Sequence, residues 1–191
     1  MAKKNEVCSA EHAGWFTLPL RRLVQSPQRL LGGLVDPGDT VADLGCGPGY
    51  FTLPLATMVG VAGRVIAVDL QAAMLAKLRV RAERAGLDSR IELLECGPDR
   101  IGLTTPCDFV LAFYMVHEVP DAAALMSEVH GVLKPGGRFL MVEPKGHVSA
   151  ADFAATVAVA KAAGLVEAIG SGARAARAPK VAFGRSALFE R

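Results

Sequence analysis

Short apolar runs alternate with amphipathic stretches along most of the chain. The runs are rich in Val, Ile, Leu and Phe and are bounded by Gly, Pro or Asp, as buried strands are. They predict strands near residues 40–45, 64–69, 90–96, 107–114, 137–143, 165–170 and 181–189. Alternation of strands with helices indicates an α/β fold in which a mostly parallel sheet carries helices on both faces.

Two of the intervening stretches carry clear helix signals. Residues 121–133 begin at Asp121, a good capping residue, and end before Pro135. Residues 71–85 stop at Gly86 and place four apolar side chains at helical spacing, with Arg and Lys opposite: Met74, Leu75, Leu78 and Ala82. Both stretches are therefore predicted to be helices that cover the sheet.

A proline interrupts a third predicted helix, over residues 49–59. Pro54 would remove a backbone hydrogen bond there unless it lies in the first turn. We therefore expect this helix to start late or to bend at the proline.

The last two predicted strands differ from the others because no helix separates them. Residues 171–180 contain glycine and proline and show no apolar periodicity. A strand that follows a short loop runs antiparallel to its predecessor. The pattern therefore predicts seven strands, of which the last is antiparallel.

The first predicted strand ends in three alternate glycines, Gly45, Gly47 and Gly49. Glycine tolerates positive φ and lets a ligand touch the backbone, so a ligand is expected to lie over this turn. The dinucleotide fingerprint G-x-G-x-x-G would require a third glycine at the position of Tyr50. The spacing therefore argues against a nicotinamide or flavin site and favours another ligand that carries a nucleoside.

Residues 43–49 read acid-x-Gly-x-Gly-x-Gly and resemble the first motif of class I S-adenosylmethionine-dependent methyltransferases. Three further signals follow in the order and at the spacing of that family: Asp69 after the second strand, the buried strand at 108–114, and Leu-Lys-Pro-Gly-Gly at 133–137. The resemblance covers about residues 40–145. It implies a Rossmann-like, doubly wound sheet with an antiparallel last strand, and S-adenosylmethionine as a cofactor that leaves as S-adenosylhomocysteine.

The resemblance also implies where the cofactor binds. The glycine turn would hold the methionine end, and Asp69 would accept hydrogen bonds from the ribose hydroxyls. Family members often have Gly-Asp-Ala after the third strand, whose aspartate binds the adenine amino group; Cys96-Gly97-Pro98 departs from this pattern and leaves Asp99 or backbone groups for that role. The expected cofactor-binding residues are Asp43, Gly45, Cys46, Gly47, Gly49, Tyr50, Asp69, Leu70, Gly97, Asp99, Phe113 and Tyr114.

The exit of the fourth strand offers the candidate catalytic residues, His117 and Tyr114. Transfer from a sulfonium mainly requires in-line positioning and exclusion of water. His117 has an ordinary pKa near working pH and is suited to remove a proton from a hydroxyl or thiol; packing at the pocket wall is the alternative. Tyr114 and Met115 are also placed to flank the cofactor or substrate. Glu143, Lys145 and His147, after the fifth strand, bind a polar substrate or are simply solvated.

The same exit disfavours one class of substrate. It lacks the Asn/Asp-Pro-Pro-aromatic tetrad that is associated with methylation of planar amino groups in nucleobases or amides. An oxygen, sulfur or carbon nucleophile is therefore expected.

Composition fits one domain over residues 1–191, with a lid segment at 1–35 and a cofactor-binding core at 36–191. No apolar run reaches the ~18 residues of a spanning helix, and the start lacks the apolar core of a signal peptide, so a cytoplasmic protein is expected. The cysteines form no C-x-x-C pair, which favours reduced core thiols over a disulfide or a metal site: Cys8, Cys46, Cys96 and Cys107.

The net charge of +2 conceals an uneven distribution, since residues 1–35 carry +3 and residues 171–191 carry +4. The apolar stretch 15–24 is predicted to act as a lid or docking surface. Arginines of both segments are hypothesised to line the mouth of the site and to favour an acidic substrate or a nucleic-acid backbone, unless they serve only solubility: Arg21, Arg22, Arg174 and Arg177.

Together these features predict a methyltransferase that acts on a small molecule, acidic or apolar. A quinone-like or lipid-like substrate fits the apolar lid. RNA methylation and a non-catalytic cofactor-binding module within a complex are the alternatives. Methylation of arsenic or another soft element would require convergent thiols. A homodimer is compatible with the sequence.

Overall fold

The computed structural model describes residues 25–168 and 178–191. The helices are α1 (Pro27–Leu31), α2 (Thr52–Met58), α3 (Ala72–Ala85), α4 (Ala122–Val132) and α5 (Ala150–Ala162). The strands are β1 (Thr40–Leu44), β2 (Arg64–Asp69), β3 (Ile91–Glu95), β4 (Cys107–Phe113), β5 (Leu133–Pro144), β6 (Val166–Glu167) and β7 (Gly184–Glu190). Short 3₁₀ turns at Asp88–Arg90 and Val116–Glu118 precede β3 and α4.

Within these described residues the strands form one sheet of seven, in the order β3-β2-β1-β4-β5-β7-β6. Strands β1 to β5 are parallel, whereas β7 lies between β5 and β6 and is antiparallel to both. The expected doubly wound sheet with an antiparallel last strand is thus confirmed. Because β1, β2, β4 and β5 are parallel, the loops after their carboxyl ends meet at one edge of the sheet.

Helices cover both faces of the sheet, and this explains why β4 is apolar from Phe109 to Phe113. Phe109 and Leu111 belong to the core cluster that includes residues of α1 and α2. Val110 and Ala112 point to the opposite face and join the cluster that includes residues of α4 and α5. All four side chains are completely buried. A parallel strand that is buried on both faces loses the polar alternation of a surface strand.

Three strands differ from their expected bounds by more than one residue. β7 begins at Gly184 instead of 181, because residues 181–183 lead into a turn in which the N–H of Gly184 donates to the carbonyl of Val181 at 3.2 Å. β5 begins at Leu133 instead of 137, because Leu133 pairs with Cys107 before the register shifts and Arg138 pairs with Phe109. β6 is described only over Val166–Glu167. Residues 169–177 lie outside the described part of the chain, so the remainder of the expected strand at 165–170 is untested.

The helices follow the expected signals closely. The third predicted helix starts late, at Thr52, so Pro54 lies in the first turn, where its missing N–H is tolerated. α3 ends at Gly86, whose φ of 65° is left-handed, and buries the four predicted apolar side chains. Among the described residues, no helix has both the length and the apolarity to cross a membrane.

The cap of α4 provides a test of this local structure. Asp121 Oδ1 accepts hydrogen bonds from the backbone N–H groups of Ala123 and Ala124 at 2.9 and 3.0 Å. Asp121→Ala should lower the free energy of unfolding by about 1 kcal/mol, measured by urea denaturation at neutral pH. Asp121→Asn keeps an acceptor oxygen and should stay close to the wild type. Equal losses in both variants would mean that the charge, and not the cap, stabilises the helix.

Candidate functional site

The turn after β1 has a backbone conformation that favours glycine. Gly45, Gly47 and Gly49 have φ angles of 66°, 53° and 86°. An ideal Cβ placed on Gly47 would meet no heavy atom of the described residues within 4 Å. Space for a ligand therefore lies directly beside the backbone of Gly47.

Neighbouring elements press on the turn at its other two glycines. A Cβ on Gly49 would lie 2.4 Å from Cδ1 of Leu78 on α3, and one on Gly45 would lie 2.8 Å from Cβ of Met115. At Gly45 the Cβ of Met115 leaves no room for a side chain, whereas at Gly49 the near atom is the end of the Leu78 side chain and the positive φ is what favours glycine. Because Met115 immediately precedes the Val116–Glu118 turn, that turn begins beside the glycines.

Asp69, at the end of β2, holds the glycine turn in place. Its Oδ2 accepts a hydrogen bond from the N–H of Gly47 at 2.8 Å, and its Oδ1 accepts one from the N–H of Gln71 at 2.9 Å. Burial raises the pKa of Asp69 above its ordinary value, and these two hydrogen bonds oppose the rise. Each carboxylate oxygen has a second lone pair, so the same oxygens are also able to accept from ribose hydroxyls.

The Asp43 side chain is buried, and it stabilises the glycine turn from the interior of the protein. It is 2% exposed, and its Oδ2 accepts a hydrogen bond from the Thr52 hydroxyl at 2.6 Å. Burial raises the pKa of Asp43 to about 7, although the hydrogen bond from Thr52 opposes this and the charge of Asp69 adds to it. Asp43 therefore ties the end of β1 to the first turn of α2.

Four aromatic rings form a row behind the site. Successive ring centroids lie 5.1 Å apart between Tyr50 and Phe51, 4.3 Å between Phe51 and Phe113, and 4.4 Å between Phe113 and Tyr114. Tyr114 has a φ of 61°, which is uncommon for a residue with a side chain. The row links the glycine turn to the exit of β4.

Gln25 connects three loops by hydrogen bonds: the glycine turn, the exit of β4 and the segment before β7. The sequence motifs do not include Gln25. The Tyr50 hydroxyl donates to the backbone oxygen of Gln25 at 2.8 Å. The Gln25 amide nitrogen donates to the Tyr114 hydroxyl at 2.8 Å and to the carbonyl of Ala182 at 3.2 Å. Gln25 is 7% exposed, so these bonds are largely protected from water.

Three further residues of the expected cofactor site, Leu70, Gly97 and Asp99, lie on the loops after β2 and β3. Leu70, directly after Asp69, leaves 38% of its surface exposed and provides an apolar face at the edge of the sheet. The N–H of Cys96 donates to the carbonyl of Asp69 at 3.1 Å, so β3 ends beside β2. Gly97 and Asp99 are exposed on the loop that follows. A contact of Asp99 with adenine stays a prediction.

His117 is held by a buried carboxylate. Its Nδ1 lies 2.5 Å from Oε2 of Glu143, whose Oε1 accepts from the N–H of Val116 at 3.0 Å. Glu143 is 1% exposed. Burial of His117 opposes its charged form, but the hydrogen bond and the charge of Glu143, together with the charge of Glu118, outweigh this and raise the pKa of His117. The sequence suggested both side chains separately but did not indicate that they pair.

A cavity of about 250 Å³ opens beside this pair. The His147 ring forms its second imidazole wall, at 5.8 Å and 73° to the ring of His117. The remaining lining includes residues of α5 that the sequence analysis did not single out. The lining residues are His117, Glu143, His147, Val148, Asp152 and Thr156.

The three described cysteines are free and separate from this cavity lining. Burial raises the pKa of Cys46, raises that of Cys96, and raises that of Cys107 to about 11. Neutral thiols are poor nucleophiles and poor metal ligands. Within residues 25–168 and 178–191, no group of three or more His, Cys, Asp or Glu side chains could hold a metal ion. Cys8 lies outside the described residues.

Several predicted features at the mouth of the site also lie outside the described residues. They are the apolar stretch 15–24 and the four arginines of the rim hypothesis, Arg21, Arg22, Arg174 and Arg177. The lid and the basic rim therefore stay predictions.

The arrangement suits a cofactor that carries a nucleoside. Open space at Gly47 admits a ligand to the backbone. Asp69 presents acceptor oxygens two strands from the β4 exit, and Leu70 offers an exposed apolar side chain next to it. The binding of S-adenosylmethionine by these residues stays a prediction.

A family model described as methyltransferase domain matches residues 41–137, about half of the chain. The chain belongs to this methyltransferase domain family. The matched range begins in β1 and ends in β5, and it includes the glycine turn, Asp69 and His117. The resemblance inferred from the sequence motifs is thereby confirmed.

Similar proteins with assigned activities include enzymes that are named for quinone biosynthesis. The demethylmenaquinone methyltransferase of Lactobacillus johnsonii is 33% identical over 110 residues, which is 57% of this chain and 45% of that protein. The ubiquinone/menaquinone biosynthesis C-methyltransferase UbiE of Enterobacter sp. is 30% identical over 107 residues, 56% of this chain and 43% of that protein. The chain spans less than half the length of these curated relatives.

Solved structures share the fold. A SAM-dependent methyltransferase from Aquifex aeolicus superposes with a TM-score of 0.82 at 20% identity, covering 96% of this chain and 99% of that one. The [4+2]-cyclase SpnF gives a TM-score of 0.62 at 21% identity, covering 76% of this chain and 58% of that one. At these identities the likeness establishes the fold, and it confirms the predicted fold class.

The raised pKa of Asp43 predicts that the free energy of unfolding depends on pH. Between its ordinary pKa of 3.8 and about 7, folded Asp43 keeps a proton that the unfolded chain releases, so stability should fall as the pH rises through this range. Asp43→Asn removes this effect and keeps the Thr52 hydroxyl bonded. The free energy of unfolding of Asp43→Asn should rise relative to the wild type by up to about 4 kcal/mol between pH 4 and pH 8.

Urea denaturation across this pH range provides the measurement. Asp88→Asn, at an exposed 3₁₀ position, serves as the control and should follow the wild-type curve. If Asp43→Asn also ran parallel to the wild type at every pH, Asp43 would not be a buried acid with a raised pKa.

Proposed function

We propose that this chain transfers the methyl group of S-adenosylmethionine to a small molecule, through an oxygen, sulfur or carbon nucleophile, with His117 as the general base. The observation that carries the proposal is the His117–Glu143 pair. Met115, two residues before His117, packs against Gly45 of the glycine turn. Relatives that are named as quinone methyltransferases support a small-molecule acceptor.

The glycine turn and Asp69 are assigned to the cofactor. S-adenosylmethionine, when bound, supplies a methyl group that is already activated on a sulfonium. Gly47 lets the methionine end lie against the backbone, Asp69 accepts from the ribose hydroxyls, and Leu70 covers one side of the adenine. Asp43 and Thr52 act as positioning residues, because they brace the turn without facing the ligand.

His117 is assigned as the general base. Glu143 accepts a hydrogen bond from Nδ1–H, which places the lone pair of the neutral imidazole on Nε2. The same carboxylate stabilises the imidazolium that forms when Nε2 takes a proton. Tyr114 is assigned a positioning role at the exit of β4, since its hydroxyl accepts a hydrogen bond from Gln25 and its ring packs against that of Phe113 at an angle of 42°. A catalytic role for Tyr114 stays a prediction.

Several finer expectations stay proposals beside this one. Methylation of RNA would need a basic surface, and the arginines proposed for it lie outside the described residues. A non-catalytic cofactor-binding module would bind S-adenosylmethionine without turnover. A homodimer, a single domain over the whole chain and a cytoplasmic location are likewise predictions.

Calorimetric titration with S-adenosylmethionine tests the cofactor site. Gly47→Ala puts a methyl group into the proposed ligand space and should raise Kd at least about tenfold, at a folding cost of about 1–2 kcal/mol for the left-handed backbone. Gly60→Ala is the matched control, because Gly60 has a similar φ of 68°, equally open surroundings and no place in the site. It should lose similar stability and keep the wild-type Kd.

Comparison of Gly47→Ala with Gly60→Ala separates backbone strain from exclusion of the ligand. If the two variants bound S-adenosylmethionine with equal affinity, Gly47 would not belong to the cofactor site. Failure of the wild type to bind at millimolar cofactor would overturn the proposed function.

Replacement of Glu143 tests the base. In Glu143→Gln, loss of the negative charge should lower the pKa of His117, and the introduced amide should donate to Nδ1, so that the proton of neutral His117 moves to Nε2. Both changes are visible by ¹⁵N and ¹³C NMR of the imidazole. With an acceptor found by screening with a labelled methyl donor, kcat should fall by about 100-fold or more.

The pH dependence of the reaction rate provides a second test of His117 as the base. Because only neutral His117 accepts a proton, the wild-type rate should rise with pH around a midpoint above 6.5. The residual rate of Glu143→Gln should reach its plateau at lower pH. Glu118→Gln keeps the Nδ1 partner and should show the wild-type tautomer. An unchanged tautomer and rate in Glu143→Gln would exclude the His117–Glu143 pair as the base.

A further inference from the structure

We infer that the cavity between the exits of β4 and β5 and the start of α5 is the acceptor subsite, and that it takes a single-ring phenol or a similarly acidic enol. This inference rests on the proposed function and deepens it, because it names the class of molecule that His117 deprotonates. Three independent features carry it: the volume of the cavity, the acidity that a histidine base requires, and the chemistry of the walls.

The volume of the cavity matches one ring of an acceptor. The cavity has a volume of about 250 Å³ and is half open to solvent. A cavity of about 150 Å³ suffices to hold benzene, and a drug-sized ligand pocket spans roughly 300–1,000 Å³. A six-membered ring with one or two polar substituents therefore fits. A larger acceptor would place one terminal ring in the cavity and leave the rest outside.

The acidity of the acceptor hydroxyl selects among molecules of that size. General-base catalysis is most effective when the pKa of the base and that of the donor are not far apart. A phenol ionises near 10, within reach of an imidazole, whereas a water-like hydroxyl at about 15.7 is far outside it. A carboxylic acid is already ionised at neutral pH and requires no base. The His117–Glu143 pair is therefore matched to a phenolic or enolic hydroxyl.

The walls suit a polar aromatic ring. The imidazoles of His117 and His147 meet edge to face, and a further ring is able to pack against them in the same manner. Val148 is buried, and its carbonyl accepts from the Arg185 guanidinium at 2.9 Å, which fixes this part of the loop. Among the described residues, the charged and titratable groups near His117 include Glu143, Glu118, His147 and Asp152.

The first turns of α5 provide the polar end of the cavity. The Ser149 hydroxyl donates to Asp152 Oδ2 at 2.7 Å and caps the helix by accepting from the N–H of Asp152 at 3.1 Å. The Thr156 hydroxyl donates to the carbonyl of Asp152 at 3.0 Å. These bonds orient Asp152 and Thr156, which line the cavity together. A second substituent on the ring, such as another hydroxyl, would find acceptors there.

The step balances without a further reactant. His117 Nε2 takes the hydroxyl proton, and the phenolate attacks the methyl carbon through its oxygen or an ortho or para ring carbon. The carbon–sulfur bond breaks with its electron pair staying on sulfur, so the sulfonium becomes a neutral thioether. Attack through carbon is completed by loss of the ring proton, which restores the aromatic ring.

Histidine-selective ¹H–¹³C NMR tests the subsite without requiring turnover. The full chain saturated with S-adenosylmethionine or S-adenosylhomocysteine is titrated with catechol, and with cyclohexanol as a probe of similar size that is not acidic. Signals of His117 and His147 should shift with catechol, whereas that of His130 on α4 should not. Cyclohexanol should bind at least about tenfold more weakly. Single His→Gln variants assign the signals.

A cavity-filling variant completes the test. Thr156→Phe should raise the catechol Kd at least about tenfold and leave the cofactor Kd unchanged. Ala155→Phe is the matched control, because Ala155 is an exposed neighbour on α5 outside the cavity lining, and it should bind catechol as the wild type does.

Each contrary result has one meaning. Unshifted His117 and His147 signals, or wild-type affinity in Thr156→Phe, would overturn the subsite. Equal binding of cyclohexanol would overturn the class of acceptor. If the cofactor itself fails to bind, the proposed function fails, and this outcome is distinguished by calorimetry before catechol is added.

Discussion

The hydrogen bonds of Asp69 are the constraint on which the site depends. One carboxylate accepts from Gly47, in the turn after β1, and from Gln71, in the turn after β2. The ends of two neighbouring parallel strands are thereby fixed relative to each other. Leu78 and Met115 press on the glycines from α3 and from the exit of β4, and the Cβ of Met115 leaves no room for a side chain at Gly45. The turn is therefore shaped by its surroundings before any ligand binds, which reduces the ordering cost of binding.

Much of the fold was predictable because burial on two faces leaves a simple pattern. The strands near 64–69 and 107–114 are continuous apolar runs and appear within one residue of their expected ends. α3 and α4 carry their own cap signals and follow them. The expected start of β5 was too far along the chain. Its first residue pairs with Cys107, and the glycines that follow interrupt the register with β4. An interrupted pairing is set by the neighbouring strand, and no local pattern reveals it.

The residues of the candidate site likewise include some that local sequence predicts and others that only the fold brings together. The glycine turn and Asp69 are local signals, because backbone conformation and strand ends can be inferred from neighbouring residues. Glu143 and His117 are 26 positions apart, and Gln25 and Tyr114 are 89 apart, so their pairing follows only from the folded sheet. The sequence suggested His117 and Glu143 as separate polar residues. It did not suggest Gln25, whose amide and carbonyl act through tertiary contacts alone.

The two halves of the site also differ in what they can specify. The half proposed for the cofactor consists of backbone groups and one carboxylate, which would suit any protein that binds the same nucleoside in this fold. A cyclase and a methyltransferase both superpose on this chain, so the fold does not determine the reaction. The exits of β4 and β5 differ because they act through side chains: a buried glutamate orients a histidine, and α5 closes a cavity beside it. The Glu143 side chain is only 2% exposed whereas that of His117 is 22% exposed, so a substrate reaches the imidazole more readily than the carboxylate, and the effect of Glu143 on the chemistry passes through the imidazole.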